Sequence, residues 1–386
     1  MDLGNRYLLP GLIDMHVHLS LELDDAMKMN MVTSGVAISA LKAANNAKIT
    51  LLSGYTTVRN IGVYLPTSDA FSVDVALNKA IKQDLVPGPR IVPAGHFISS
   101  TGGHGDITGF APSVRELDYR SGIADGVEEL QKAVRYQIKY GAKVIKFMAT
   151  GGVISEEGGV PQSPQFSAEE MKVICDTAHR VGIKCAAHAE TEPGVHLAIR
   201  AGVDTLEHGF QLTREDIHLM LEKQVYLIPT ALTASLSELY IPFNQMPDNI
   251  RDKGLLQQAS AIESLKKAIK AGVKIASGSD AGISQHGKNA KELYYYVKYG
   301  MSTLTAIQSA TIHAADALGD YALDGAKVGQ IKPSYEADII AVSGNPLRDI
   351  KALQETVFVM KAGRIYKNLT AVDVKHLKGE QNNETE

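Results

Sequence analysis

His16 and His18 stand two residues apart in the short apolar run LIDMHVH. In an extended chain, side chains at that spacing share a face, so both imidazoles can reach one cation. His188 in CAAHAE, His208 in LEHG and Asp280 in SGSDAG each lie near the end of another such run and offer further nitrogen and carboxylate donors. Lys146 is the unusual member of this set. It shares a strand face with Val144 and Met148, while Ile145 and Phe147 take the other. If the larger pair packs on helices, Lys146 points inward. A buried ammonium is costly and has no lone pair for a metal. Burial favours the neutral amine, which can add carbon dioxide to become a carbamate able to bridge two cations. The plainer reading of Lys146 is a salt bridge inside the fold.

These residues lie far apart in sequence and need a scaffold that gathers them. Eight apolar, β-branched runs recur, each followed by a stretch with helical spacing: 12–18, 56–60, 90–95, 143–148, 184–189, 205–209, 226–230 and 274–280. Strands alternating with helices predict a parallel α/β architecture, and eight of them predict a closed (β/α)8 barrel of the TIM type. Sites on such barrels form at the C-terminal ends of the strands, where all six residues would converge.

Helix signals support the alternation. Val127, Leu130, Val134 and Ile138 form one apolar stripe before Gly141. Ser167 with Glu170 reads as a capping box for a helix that buries Met171, Ile174, Cys175, Ala178 and Val181 and stops at Gly182. Thr213 and Asp216 mark another helix start. Residues 96–124 carry no clear period, and with loops 155–166 and 232–250 they are expected to wall the site. The expected organisation is a barrel over 10–325, a small β-sandwich-like appendage from 1–9 plus 326–370, and a polar tail over 371–386.

Composition narrows the class. The chain has 386 residues, 45% of them hydrophobic, and a formal net charge of −4 without a basic block, which speaks against nucleic acid as a partner. No apolar run reaches the ~18 residues of a spanning helix, so no membrane partner is expected. The start of the chain lacks the pattern of a signal peptide, and a cytoplasmic location is expected. Cys175 and Cys185 lie in no zinc-type spacing and read as small buried hydrophobes.

The motifs PGLIDMHVH, GYTTVRN, STGGH, IKFMATGGV, AAHAE, EHG, GSDAG and ADIIAV carry a resemblance. They resemble the amidohydrolase superfamily, on the branch of metal-dependent carboxypeptidases and prolidase-like enzymes related to imidazolonepropionase. The resemblance implies one zinc on His16, His18 and Asp280 and a second on His188 and His208. It also implies carboxylated Lys146 and a hydroxide shared by both ions. Manganese or cobalt would also suit mixed histidine and carboxylate ligands. Asp280 would take the proton of the hydroxide and hand it to the leaving amine. The implied substrate is a dipeptide or N-acyl amino acid, cleaved at its C-terminal amide rather than at an ester.

His104, in the glycine-rich loop, is a candidate for the substrate carbonyl or oxyanion, with a loop-structuring role as the alternative. Tyr226 opens the seventh run and could stabilise an oxyanion or bind a carboxylate, or be a core tyrosine. Arg59 could hold a substrate α-carboxylate or form a structural salt bridge, and His286 could line the mouth. Glu207, opposite His208 by strand parity, is expected to anchor a neighbouring element.

Rival readings are hydrolysis of a cyclic amide or imidazolone, a deamination, and a catalytically dead scaffold. Lys146 argues against deaminases, which commonly use one metal, and a scaffold needs none of the six ligands. Relatives usually begin with additional β-structure before the barrel. The reading therefore expects either an upstream segment or a homo-oligomer that covers the sheet edge.

Overall fold

The computed structural model describes residues 2–24, 27–63, 72–154 and 163–369. The expected polar tail and most of the 155–166 loop lie outside these residues. Among the described residues no helix is long and apolar enough to cross a membrane.

Seven of the eight apolar runs form parallel strands: β2 (Leu12–Val17), β3 (Tyr55–Asn60), β4 (Arg90–Pro93), β5 (Val144–Met148), β6 (Lys184–Ala189), β7 (Thr205–His208) and β8 (Tyr226–Ile228). They form two sheets, ordered β2-β3-β4 and β5-β6-β7-β8. Hydrogen bonds join the two. Lys143 N donates to Pro93 O at 2.7 Å, and Ile98 N to Lys146 O at 2.8 Å, linking β4 and its exit to β5.

The eighth run is not a regular strand. It is an extended segment bonded on both sides: Leu227 N donates to Lys274 O at 2.9 Å, Met15 N to Ser277 O at 2.7 Å and Asp280 N to His16 O at 2.8 Å. The ring of eight runs therefore returns to its start, an α/β arrangement consistent with a TIM-like barrel.

Side-chain parity decides what faces in. Ile13, Met15, Val92, Val144, Ala186 and Ile228 make one buried cluster inside the ring. Ile145 and Phe147 belong instead to the cluster that packs the strands on the helices. Lys146 thus points inward as the alternation requires, and it is 1% exposed.

The capping box at Ser167 and Glu170 starts the helix Ala168–His179, and a second at Thr213 and Asp216 starts Arg214–Lys223. Val181 is a correction: it lies beyond the end of its helix and is exposed. In the helix Gly126–Lys139 the buried residues are Leu130, Ala133, Val134 and Gln137. Val127 and Ile138, at its two ends, are only half-buried.

A four-stranded antiparallel sheet completes the structure, with order β1-β9-β10-β11, where β1 is Tyr7–Pro10, β9 Ile339–Val342, β10 Thr356–Lys361 and β11 Arg364–Asn368. It meets the N-terminal ends of the ring strands. Arg90, the first residue of β4, pairs with Asp338 at 2.9 Å and Glu336 at 3.2 Å, and Lys361 donates to Gly88 O. The opposite end of the ring carries the strand exits, where His16, His188 and Asp280 are buried.

Candidate metal centre

At that end the strands deliver the predicted ligands together. Nε2 of His16 and Nε2 of His18 each lie 3.5 Å from Oδ1 of Asp280. Three donors around one tetrahedral zinc at bond lengths near 2.1 Å would sit about 3.4 Å apart. That Oδ1 is buried and has no hydrogen-bond partner among the described residues, an expensive state for a carboxylate oxygen unless a cation completes it. The residues present therefore fit a divalent metal.

Each histidine is also fixed through its other nitrogen. His16 Nδ1 is 2.8 Å from Glu207 Oε2, His18 Nδ1 3.0 Å from the Gly62 carbonyl, His208 Nδ1 2.8 Å from Thr230 Oγ1, and His188 Nε2 3.2 Å from the Gly151 carbonyl. Such outer partners set the tautomer and aim the remaining nitrogen at the centre. Burial lowers the pKa of all four, that of His18 to about 3, so they stay neutral as ligands must.

His208 sits between two groups, its ring centroid 5.0 Å from that of His16 and 4.6 Å from that of His188. Donor atoms of His16, His208 and Asp280 form one set within 4.8 Å, and those of His188, Glu190 and His208 another. Lys146 lies among them: its charge lowers the pKa of His16, His18, His188 and His208. Its own pKa is pulled down to about 8, mainly by burial.

The strand ends bend to make this possible. His208 (φ +66°), Thr230 (φ +46°) and Asp280 (φ +54°) all adopt the left-handed region, which costs an L-residue of order 1–3 kcal/mol. The bend at His208 takes it off strand parity. Glu207 and His208, adjacent in sequence, thus both serve His16's side of the site.

His104 joins the group. Its ring centroid is 4.4 Å from that of His188, and it lies against Gly152, where a Cβ would come within 2.4 Å of the ring. Glycine at 152 is what makes room for it. Burial, and secondarily the Lys146 charge, lowers its pKa to about 3, leaving a neutral imidazole.

Two expectations for substrate contacts, Arg59 and Tyr226, are corrected. Arg59 is 1% exposed and fully engaged inside the ring: Nε donates to Met15 O, one terminal nitrogen to Thr205 Oγ1 at 2.9 Å and the other to Glu207 Oε1 at 2.7 Å. It cannot meet a substrate carboxylate. Tyr226 is the first residue of β8, so its hydroxyl lies at the end of the ring away from the ligands and donates to Asp316. His286 lies near enough to influence His18, and its Nε2 donates to the Leu21 carbonyl at 3.1 Å.

Sequence reasoning passed over Glu190, two residues after His188 and so available by the same parity as the HxH pair. It also missed Asp14, whose carboxylate accepts from Ser279 N, Ser279 Oγ, Asn289 Nδ2 and His16 N and so ties β2 to the Asp280 loop. Glu207 does anchor, as expected, but its partners are His16 and Arg59 within the ring. Replacing Glu207 with alanine leaves the buried Arg59 guanidinium without its carboxylate. The expected loss is about 3–5 kcal/mol of folding stability, read from denaturant unfolding of the metal-free protein.

The sequence pattern of the amidohydrolase family matches residues 7–366. Ochratoxinase of Aspergillus niger is 38% identical over an alignment that covers 93% of this chain and 75% of that enzyme. A solved Xaa-Pro dipeptidase with methionine bound in its active site superposes with a TM-score of 0.82 at 36% identity, covering 94% of this chain and 87% of the other. A prolidase complexed with N-methylphosphonate-L-proline gives 0.82 at 30% identity over 96% and 89%. With the match spanning the ring and the β1-β9-β10-β11 sheet, the chain belongs to the amidohydrolase family.

Proposed function

We propose that this chain is a binuclear metal-dependent amidohydrolase that cleaves the C-terminal amide of dipeptides or N-acyl amino acids. Its frame would be a (β/α)8 barrel over 10–325 with a β appendage from 1–9 and 326–370. The observation that carries the reading is the orphaned Asp280 Oδ1 facing two histidine nitrogens, each ring locked from behind. The relatives that act on amides, an ochratoxinase and Xaa-Pro dipeptidases, favour the same reaction class.

In this reading His16, His18 and Asp280 would hold one ion, His188 and His208 the other, and Lys146 would serve both as a carbamate. A buried lysine with its pKa lowered to about 8 has a substantial neutral fraction near neutral pH, and its amine adds carbon dioxide with release of one proton. Divalent cations held there, zinc by preference, would supply hydroxide at neutral pH and polarisation of the scissile carbonyl. Asp280 accepts the proton and delivers it to the departing nitrogen as the C–N bond breaks. His104, a neutral imidazole beside His188, donates its N–H to the oxyanion.

The test is a hydrolysis screen of the metal-loaded protein. Free amino acid should appear from dipeptides or N-acyl amino acids, stop on chelation, and return on adding zinc, manganese or cobalt. Turnover confined to hydantoins or dihydroorotate would move the protein to the ring amidases.

A further inference from the structure

Thr230 stands where a helix is capped, yet its hydroxyl points elsewhere. It precedes the single helical turn Ala231–Ala234, whose first N–H groups have no acceptor within the turn. A threonine in that place ordinarily adopts an extended backbone and accepts one of those N–H groups through its own oxygen. Here the backbone is left-handed (φ +46°, ψ +46°), no such cap forms, and Oγ1 lies 2.8 Å from His208 Nδ1. A β-branched residue rarely takes that conformation. Another group must satisfy the turn and hold the residue there.

Glu292 does both. Its Oε1 accepts from Ala231 N at 2.8 Å and its Oε2 from Leu232 N at 2.6 Å, so one carboxyl group closes two adjacent donors. The side chain comes from a different helix, Lys291–Lys298, and is fully buried. Left without an acceptor at this depth, either N–H would carry its full desolvation penalty, so the two bonds fix the backbone directly after Thr230. On the other side of that residue the Thr230 carbonyl accepts from Thr233 Oγ1 at 2.9 Å and Ala234 N at 3.2 Å.

The helix that carries Glu292 is itself registered to the other side of the centre. Asn289, two residues before its first residue, donates Nδ2 to Asp14 Oδ2 at 2.8 Å and to Ser279 Oγ at 3.1 Å. Ser279 N in turn donates to Asp14 at 3.0 Å, and Asp280 is the next residue. One helix start thus reaches the Asp280 loop through Asn289 and the His208 partner through Glu292. The relative placement of two candidate ligands from different strands is referred to one rigid element.

We propose that Glu292 is a positioning residue of the centre: by taking the two N–H groups it releases the Thr230 hydroxyl from capping and keeps it on His208, which fixes Nδ1 and leaves Nε2 for a metal. The proposal rests on the metal-dependent reading and adds to it a carboxyl group whose own oxygens are bound to backbone. Without that group Thr230 relaxes to an extended backbone and caps its own turn. The His208 ring then loses the partner that sets its tautomer.

The first measurement needs neither metal nor turnover. In metal-free protein labelled with 15N-histidine, the His208 ring, assigned by its loss in His208→Gln, should show the single neutral tautomer protonated at Nδ1. In Glu292→Gln an amide NH2 faces one of the two N–H groups, and the His208 signal should move to a mixture of tautomers. The second measurement is zinc affinity by competition with a chromophoric chelator. Glu292→Gln should weaken one ion by about 10–100-fold. Thr230→Ala should do the same, and Glu292→Gln added to Thr230→Ala should weaken it no further, because the carboxyl group acts through that hydroxyl. Leu293→Ala, a buried apolar loss one residue along the same helix, should lower stability and change neither tautomer nor zinc affinity. If Glu292→Gln yields no folded protein, Glu292→Asp, shorter by one methylene, carries the same comparison.

An unchanged tautomer and unchanged zinc affinity in the Glu292 variant would overturn the proposal, as would additive losses in the double variant or equal losses in Leu293→Ala. A wild-type protein that takes up no divalent ion would remove the metal reading instead, and the tautomer comparison would still decide the role of Glu292.

Discussion

Lys146→Ala should lose bound metal and lower turnover by on the order of 10³-fold or more, the scale of the several kcal/mol that metal activation contributes. The side chain is 1% exposed and inward-facing, and it forms no salt bridge among the described residues. Its field reaches every candidate histidine ligand. If its role is the bridging carbamate, alanine removes a ligand from both ions at once. Short carboxylic acids with bicarbonate should then restore part of the activity by occupying the vacated position. If Lys146 served only as a buried cation, alanine would leave metal content and turnover intact, and carboxylic acids would do nothing. Metal analysis of the purified variant and its kcat with and without added propionate separate the two outcomes.

The second large effect is expected at Asp280. Asparagine has nearly the same shape, and one oxygen can still face His16 and His18, so Asp280→Asn should keep part of its metal at weakened affinity. It carries no charge and cannot accept a proton as a carboxylate does. Turnover should fall about 10²–10⁴-fold, the usual contribution of a positioned acid–base group. Metal content measured beside kcat distinguishes this from ligand loss: an active variant with full metal would remove the proton-transfer role.

How far these roles could be read without coordinates follows from strand geometry. The HxH pair, the inward face of Lys146 and the placement of His188, His208 and Asp280 follow from period-two alternation and from one rule about strand ends. Tyr226 was equally legible: the first residue of a parallel ring strand stands at the end away from the site. Arg59 lies within β3 rather than beyond it, and its long arm turns into the ring toward Glu207. No local pattern encodes that pairing, because its partners are 146 and 148 residues away. The apolar wall beside Asp280 was foreseen only as loop 232–250. It depends on how Phe243 and Leu236 seat on Gly254, a tertiary contact without periodicity. The eighth run was read correctly in place but not in regularity, since it must both bond β2 and β8 and turn sharply at Asp280.

That turn has a consequence for how the protein can change over time or in the laboratory. At positions 208, 230 and 280 the backbone is held where glycine or asparagine would sit with less strain. A search guided by heat resistance alone would favour those replacements, and each one accepted would alter either a candidate ligand or the group that aims one. Robustness and turnover are therefore in opposition at these three positions. Elsewhere, as on the exposed faces of Leu41, Leu85 and Leu256, substitutions can harden the chain with no such conflict.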